Sequence, residues 1–492
     1  MADKQNSAAG GFKLNYKRTL TIGFAFFGIL LLWQVYDLWC PPFLTELFKQ
    51  AFAIEDETQV QYLVGIMMAI DNLAALILLP IFGKLSDKTH TKIGKRMPYI
   101  LVGTFVCAVA FPFIPLLFHF KKAIGTMAVM AVVVIFAMMY RNPAVALMPD
   151  MTPKPLRSKA NGLINIMGYI GGAFATVVGM VFVLTQYLGT EVDKVATAAA
   201  TEAAGYEVIV YKPHTWAYGN IWAVELPFLI ASVLMLISAI FLYIKIKENK
   251  IAEEVKDDMA RGEAVSEAAD KLEVDEEKPM TKANKIMLFL ILGAEFFWFM
   301  ADNGVSTFLN NYIIYGLNGS SASTSLLTII GGVGSVIGFI FGGTIAEKIS
   351  RKWTVMSGLL MTLFTYAIWA VLTFVVGFSG TSIPLWLIVL WFIKGFGMSL
   401  VHVNSYPMVV ELCSSKKIGA FTGYYYASSM AAQTITPILL GTLLLVPNFD
   451  WFLLPIYAGV CMAVSFTVFT FIKNTKNGKT EFKKGLEALD ND

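Results

Sequence analysis

Long apolar runs, separated by short polar turns, dominate the chain. Twelve runs reach the roughly 20 residues that a helix needs to cross a bilayer. They lie near 20–40, 60–83, 98–118, 124–148, 162–187, 219–244, 285–313, 322–346, 353–377, 383–410, 419–446 and 450–472. Barrel strands would be shorter and would alternate apolar with polar positions. The pattern predicts an all-α membrane protein with twelve transmembrane helices. Residues 246–284 interrupt it with a long, highly charged, net acidic stretch. That stretch reads as a solvated linker with some helical tendency between two six-helix bundles, 20–245 and 285–473, flanked by an N-tail, 1–19, and a C-tail, 474–492. Residues 188–218, with EVIVY and KPHTW, leave room for a short external hairpin.

The halves repeat. Trp33 precedes Asp37 by four and Phe43-Leu44 follows; Trp298, Asp302 and Phe308-Leu309 have the same spacing. Gly83 and Asp87 match Gly343 and Glu347, and Asp150 and Gly162 match Glu411 and Gly423. Two pseudo-symmetric bundles with a site between them are the plan of many secondary transporters.

Composition agrees: 56% of the 492 residues are hydrophobic and mean hydropathy is +0.63. The net charge of +3 says little, but the distribution of the 38 Lys and Arg does. Five (Lys49, Lys121, Lys122, Lys194, Lys212) fall in odd-numbered turns and two (Arg141, Lys394) within spans; the rest lie in the tails and even-numbered turns. By the positive-inside rule both termini are cytoplasmic. No cleavage pattern follows the N-tail, so the first span is expected to remain, and the lack of a targeting sequence points to a bacterial cytoplasmic membrane. The four cysteines lack ligand spacing, so no metal and no disulfide framework is expected. No nucleophile–base pair and no phosphate-binding glycine loop occurs. The chain reads as no enzyme, with no cofactor and no nucleic-acid partner.

Residues 82–100, FGKLSDKTHTKIGKRMPYI, link spans two and three. Gly83 permits close helix approach, Asp87 can cap or pair across the turn, and Lys95 and Arg96 stay in the cytosol. A weaker copy, FGGTIAEKISRK, fills the matching turn of the second half. Gly83, Asp87, Lys95, Arg96, Asp150, Arg157, Glu347, Arg351 and Glu411 are therefore expected to form an inner gate. The first motif resembles the equivalent turn of major facilitator superfamily carriers. Its expanded spacing resembles the glycoside–pentoside–hexuronide:cation symporters and the proton-coupled sucrose carriers. NPAVALMPDMTPKPLRSKANG and FFWFMADNGVSTFLNNYIIYG are similar to the same families. The resemblance implies the twelve-helix major facilitator fold, alternating access, and cation-coupled uptake of a sugar or glycoside by a chain working as a monomer in the bilayer. This sequence departs from the family where melibiose-type members bind their cation: Ala75 and Leu79 replace two helix-two carboxylates, and Arg141 replaces a helix-four aspartate. The sucrose carriers' helix-four aspartate falls on Val134. Protons are therefore expected over sodium.

Ionisable residues inside spans are costly and default to function. Asp71 is the first candidate for cation coupling, with Asp302, Asp37 and Glu295 behind it; permanent salt bridges would be the structural alternative. Arg141, Lys394 and His402 are expected as cavity charges, because spans one, four, seven and ten line the central cavity in the resembled fold. A sugar needs polar partners for hydroxyls and flat aromatics for ring faces. Trp33, Tyr36, Asp37, Asn165, Tyr169, Trp298, Asn303, Tyr424, Tyr425 and Gln433 offer both. A lipid or lysolipid carrier and a proton-coupled drug exporter remain alternatives, although span five lacks the Gly-Pro pair usual in the exporters.

Overall fold

The first helix begins where Asn15 caps it, its side chain accepting from the Arg18 backbone N–H at 3.0 Å. This helix, α1, runs Tyr16–Phe52. The computed structural model describes residues 12–189, 216–272, 282–376, 383–412, 418–446 and 450–473. The remaining long helices are α2 Gln61–Asp87, α3 Met97–Ala110 (followed by Phe113–His119), α4 Ala123–Asp150, α5 Arg157–Val181 and α6 Ile221–Lys245. The second half supplies α7 Lys282–Asn311, α8 Ser321–Ile349, α9 Arg351–Val376, α10 Leu385–Val410, α11 Ile418–Leu443 and α12 Leu453–Thr470. Eleven of the described helices are long and apolar enough to cross a membrane. α11 is as long as the others, but YYYASSMAAQT makes it more polar, and it is not among those eleven.

Packing partners repeat between the halves. α1 packs on α5 and α6, as α7 packs on α11 and α12; α4 packs on α2 and α3, as α10 packs on α8 and α9. α2 with α11, and α5 with α8, join one half to the other. The α2–α11 crossing is closest at glycines. A Cβ on Gly65 would overlap the Pro437 carbonyl, and one on Gly441 would sit 2.5 Å from the Gln61 carbonyl oxygen. Small residues of this kind let membrane helices approach backbone to backbone.

Pro41 and Pro42 lie inside α1, which continues through both. The stretch after α6 is helical over much of its described length. It folds into linker helices Glu248–Glu254 and Lys256–Leu272 that seat on the first half. Gly262 faces Pro153, where a Cβ would lie 3.0 Å away, and Arg261 sits 5.3 Å above the Phe12 ring. This end of the molecule is called the linker end below, and the opposite one the far end. Most of the 188–218 turn, residues 190–215, lies outside the described residues.

Candidate functional site

A cavity of about 470 Å³ lies between the halves, near the middle of six helices. The side chains reach it at helical spacing. α1 contributes Leu30, Trp33 and Asp37; α2 contributes Met68, Asp71, Asn72 and Ala75; α7 contributes Phe299, Asn303, Ser306 and Thr307. α11 adds Tyr425, Tyr426, Ser429, Met430 and Gln433, while α4 gives Met138 and Arg141 and α10 gives His402. Steps of three and four keep each set on one helical face. Phe299 and His402 meet edge to face with centroids 5.5 Å apart.

Of the residues anticipated from sequence, Trp33, Asp37, Asp71, Arg141, Asn303, His402, Tyr425 and Gln433 meet at this cavity. The others lie elsewhere. Trp298 is fully buried against Phe469, centroids 6.5 Å apart, and Asp302 pairs with Lys394. The internal repeat equates Trp298 and Asp302 with Trp33 and Asp37, yet on α7 the cavity-facing pair is Phe299 and Asn303, one residue further on. One residue turns a helix by about 100°, enough to swap walls. The same step sends Tyr36 into the protein interior beside Trp33, and leaves Tyr424 exposed beside Phe421, 5.9 Å between centroids, while Tyr425 lines the cavity. Asn165 is buried and Tyr169 exposed on α5, and neither lines the cavity. Glu295 is fully buried, and neither of its carboxylate oxygens has a hydrogen-bond partner among the described residues. Asn72, Phe299, Ser306, Thr307 and Tyr426 escaped the sequence reading. Phe299, Ser306 and Thr307 stand three or four residues from Asn303, and Asn72 and Tyr426 directly follow Asp71 and Tyr425.

Two prolines build the ties between the halves. A helical proline leaves the carbonyl four residues earlier without its donor. Pro42 frees Leu38, and the Asn310 side-chain amide of α7 donates to that carbonyl at 2.6 Å. Pro437 frees Gln433, and the Asn72 amide of α2 donates to it at 3.1 Å. Each orphaned acceptor is therefore met by an asparagine of the other half. Further ties gather at the far end. Asn311 donates to Thr45 Oγ1 (2.9 Å) and Gln61 Oε1 (3.0 Å). Tyr315 donates to Glu46 (2.7 Å) and Trp451 to Glu57 (3.2 Å).

The linker end carries the anticipated gate residues. Arg96 pairs with Asp87 and, at 2.9 Å, with Asp150, which also takes Lys95 at 3.0 Å. Burial pulls the Arg96 guanidinium down, but Asp150 and Asp87 outweigh it and hold the group above its ordinary pKa. Arg157 donates to the Thr152 and Pro149 carbonyls beside the end of α4. A Cβ on Gly83 would sit 2.5 Å from the Asn142 amide, which donates to the Leu79 carbonyl. In the second half Arg351 pairs with Glu411 at 3.0 Å, and Glu347 is exposed at the end of α8. One partner was not anticipated. The Glu248 carboxylate, from the linker, accepts from the backbone N–H groups of Lys95, Arg96 and Met97 at 2.9–3.1 Å. It thus caps α3 from another segment. Gly94, at φ +121°, makes room: a Cβ there would overlap Glu248.

A repeated helical packing scheme around a cavity between two halves, tied at the far end, defines a membrane transport protein rather than an enzyme. The chain belongs to the Major Facilitator Superfamily, whose family model matches residues 3–176 and 287–489. No curated protein matches it. Its structure is similar to the inward open conformation of the xylose transporter XylE from E. coli, with TM-score 0.61 and 15% identity over 96% of this chain and 98% of that one. It is also similar to the POT family transporter PepTSo (0.61, 12% identity, 93% and 98% covered). The nucleoside transporter NupG aligns with TM-score 0.59 and 12% identity over 93% and 100%. At these identities the likeness concerns the fold.

Proposed function

We propose that this transporter takes up a sugar or glycoside together with protons, as a carrier of the glycoside–pentoside–hexuronide and sucrose type. The lining of the central cavity carries the reading. Amides (Asn72, Asn303, Gln433), carboxylates (Asp37, Asp71) and flat aromatics (Trp33, Phe299, Tyr425, Tyr426) converge there from both halves. Hydroxyls want the first two and pyranose faces the third. Asp71 is the preferred coupling group. One of its oxygens, Oδ2, is buried with no hydrogen-bond partner of good geometry among the described residues, which is costly for an ion and relieved by a proton. Asp37 is its neighbour on α1. Asp302 would join the cycle only if its bond to Lys394 opens in another state.

The lysine and arginine bias makes the linker end cytoplasmic, with both tails inside a plasma membrane. The state described here, tied at the far end, would then face the cytoplasm, and one chain would suffice for the cycle. The test is uptake of labelled mono-, di- and oligosaccharides into proteoliposomes under an inward proton gradient, an inward sodium gradient, and neither. Proton-stimulated accumulation of one of them is expected. No uptake of any sugar under any gradient would sink the reading.

A further inference from the structure

Three polar groups at one wall of the cavity are buried with nothing to bond well. The Tyr36 hydroxyl, the Trp33 indole N–H and Asp71 Oδ2 each lack a hydrogen-bond partner of good geometry among the described residues. They stand together. The Tyr36 hydroxyl faces the Asp71 carboxylate across the α1–α2 contact. Its ring meets Trp33 edge to face, with centroids 5.6 Å apart and planes at 77°. Trp33 and Asp71 line the cavity, and Tyr36 is fully buried beside them. Asp71 is also faced by Asp37 and Cys40 from α1. Arg141 from α4, Tyr425 and Tyr426 from α11 and His402 from α10 share the cavity with it.

A sealed hydroxyl without a good partner is costly, and phenylalanine would fill the same space free of that cost. Water in the cavity can serve the groups that line it, but it does not reach Tyr36, whose hydroxyl has Asp71 in front of it. What the hydroxyl can do there depends on the charge of Asp71. An ionised carboxylate only accepts, so the phenol O–H turns to donate to it. A protonated carboxyl carries a hydrogen of its own and does not call for that donor. The two charge states of Asp71 therefore ask for two orientations of Tyr36, and the Trp33 ring is packed against whichever one is adopted.

We propose that Tyr36 is the positioning residue of Asp71: its hydroxyl turns to the carboxylate each time Asp71 gives up its proton, and Trp33 carries that movement to the cavity wall. Tyr36 keeps its own proton throughout. The inference rests on the reading of Asp71 as the coupling group. It adds the part through which cargo and proton sense each other. A ring stacked on Trp33 and a charge on Asp71 bear on two sides of one tyrosine, so each alters how readily the other binds, and by the same factor.

The test is infrared difference spectroscopy of the full chain in liposomes, with no ligand and with pH stepped in both directions. Samples with and without ring-deuterated tyrosine mark the tyrosine modes. Two signals are expected to change together. One is the carboxylic-acid stretch of Asp71, identified by its loss in Asp71→Asn. The other is a shift of the phenol C–O mode of Tyr36, identified by its loss in Tyr36→Phe. The phenol shift should also vanish in Asp71→Asn, where the tyrosine is intact, and shrink in Trp33→Ala, where tyrosine and carboxyl both are. Asp71→Ser makes the same comparison if Asp71→Asn does not fold. A hydroxyl that only fills space gives a phenol mode blind to pH, or one that shifts as before in Asp71→Asn. Either result overturns the inference and leaves Asp71 as the coupling group. An undiminished phenol shift in Trp33→Ala overturns the link to the cavity wall. If Asp71→Asn removes no acid stretch at any pH, Asp71 exchanges no proton, and the coupling reading falls together with the inference.

Discussion

Asn310 offers the sharpest test of how the halves are held. In the state described, its amide is the donor that Pro42 denies to the Leu38 carbonyl, in a buried position. Replacing it by alanine leaves that carbonyl unsatisfied, which costs about 1–3 kcal/mol. The cost falls on the far-end-closed state alone if opening the far end wets the carbonyl. The equilibrium should then move towards far-end opening by roughly 5- to 150-fold. A cysteine at Thr307, which lines the cavity, reports this when the native cysteines are replaced and an impermeant maleimide is applied from the far end. Alkylation should accelerate in Asn310→Ala by a factor in that range. Pro42→Ala supplies the missing N–H, so in that background Asn310→Ala should do much less. Equal alkylation rates in a folded Asn310→Ala protein, or an undiminished effect beside Pro42→Ala, would refute the account.

Four other outcomes follow from the geometry. Glu248→Ala strips three backbone N–H groups of their acceptor and should lower stability by about 1–2 kcal/mol. Gly94→Ala, which both strains the backbone and displaces the same carboxylate, should cost a similar amount; thermal unfolding in detergent measures both, and an unshifted Tm in either would contradict the cap. Asp71→Asn should abolish gradient-driven accumulation yet spare exchange of substrate already inside, with loss of folded protein pointing instead to a structural carboxylate. Asp302→Asn strands Lys394 and should destabilise by up to about 3 kcal/mol, less than a fully buried pair because both groups are partly open. Adding Lys394→Met should recover most of that loss; no recovery would mean the pair is not the reason.

The architecture was legible because apolar runs of bilayer length have few alternatives, and because the repeat of Gly83 and Asp87 in Gly343 and Glu347 announced duplication. The cavity was half legible. Asp37, Asp71 and Arg141 could be named from the cost of charge within a span, and Trp33 as a flat aromatic beside them. The choice between Trp298 and Phe299, or Tyr424 and Tyr425, turns on helix rotation, which packing fixes and a motif does not. The proline–asparagine ties were invisible for another reason: each joins residues hundreds of positions apart, and only the fold brings an amide to the carbonyl that a proline has freed. Glu248 was hidden within a charged stretch, where one carboxylate looks like any other.

The docking of that stretch has a mechanical consequence. Its two helices run to Leu272 and seat on the first half through Glu248, Arg261 and Gly262, and α7 begins at Lys282. Nine residues therefore connect the halves, whatever the length of the acidic segment in sequence. A chain of that size spans at most about 35 Å. The linker is thus a short leash with one end bolted down, and it sets an upper limit on how far the two halves can part at that mouth.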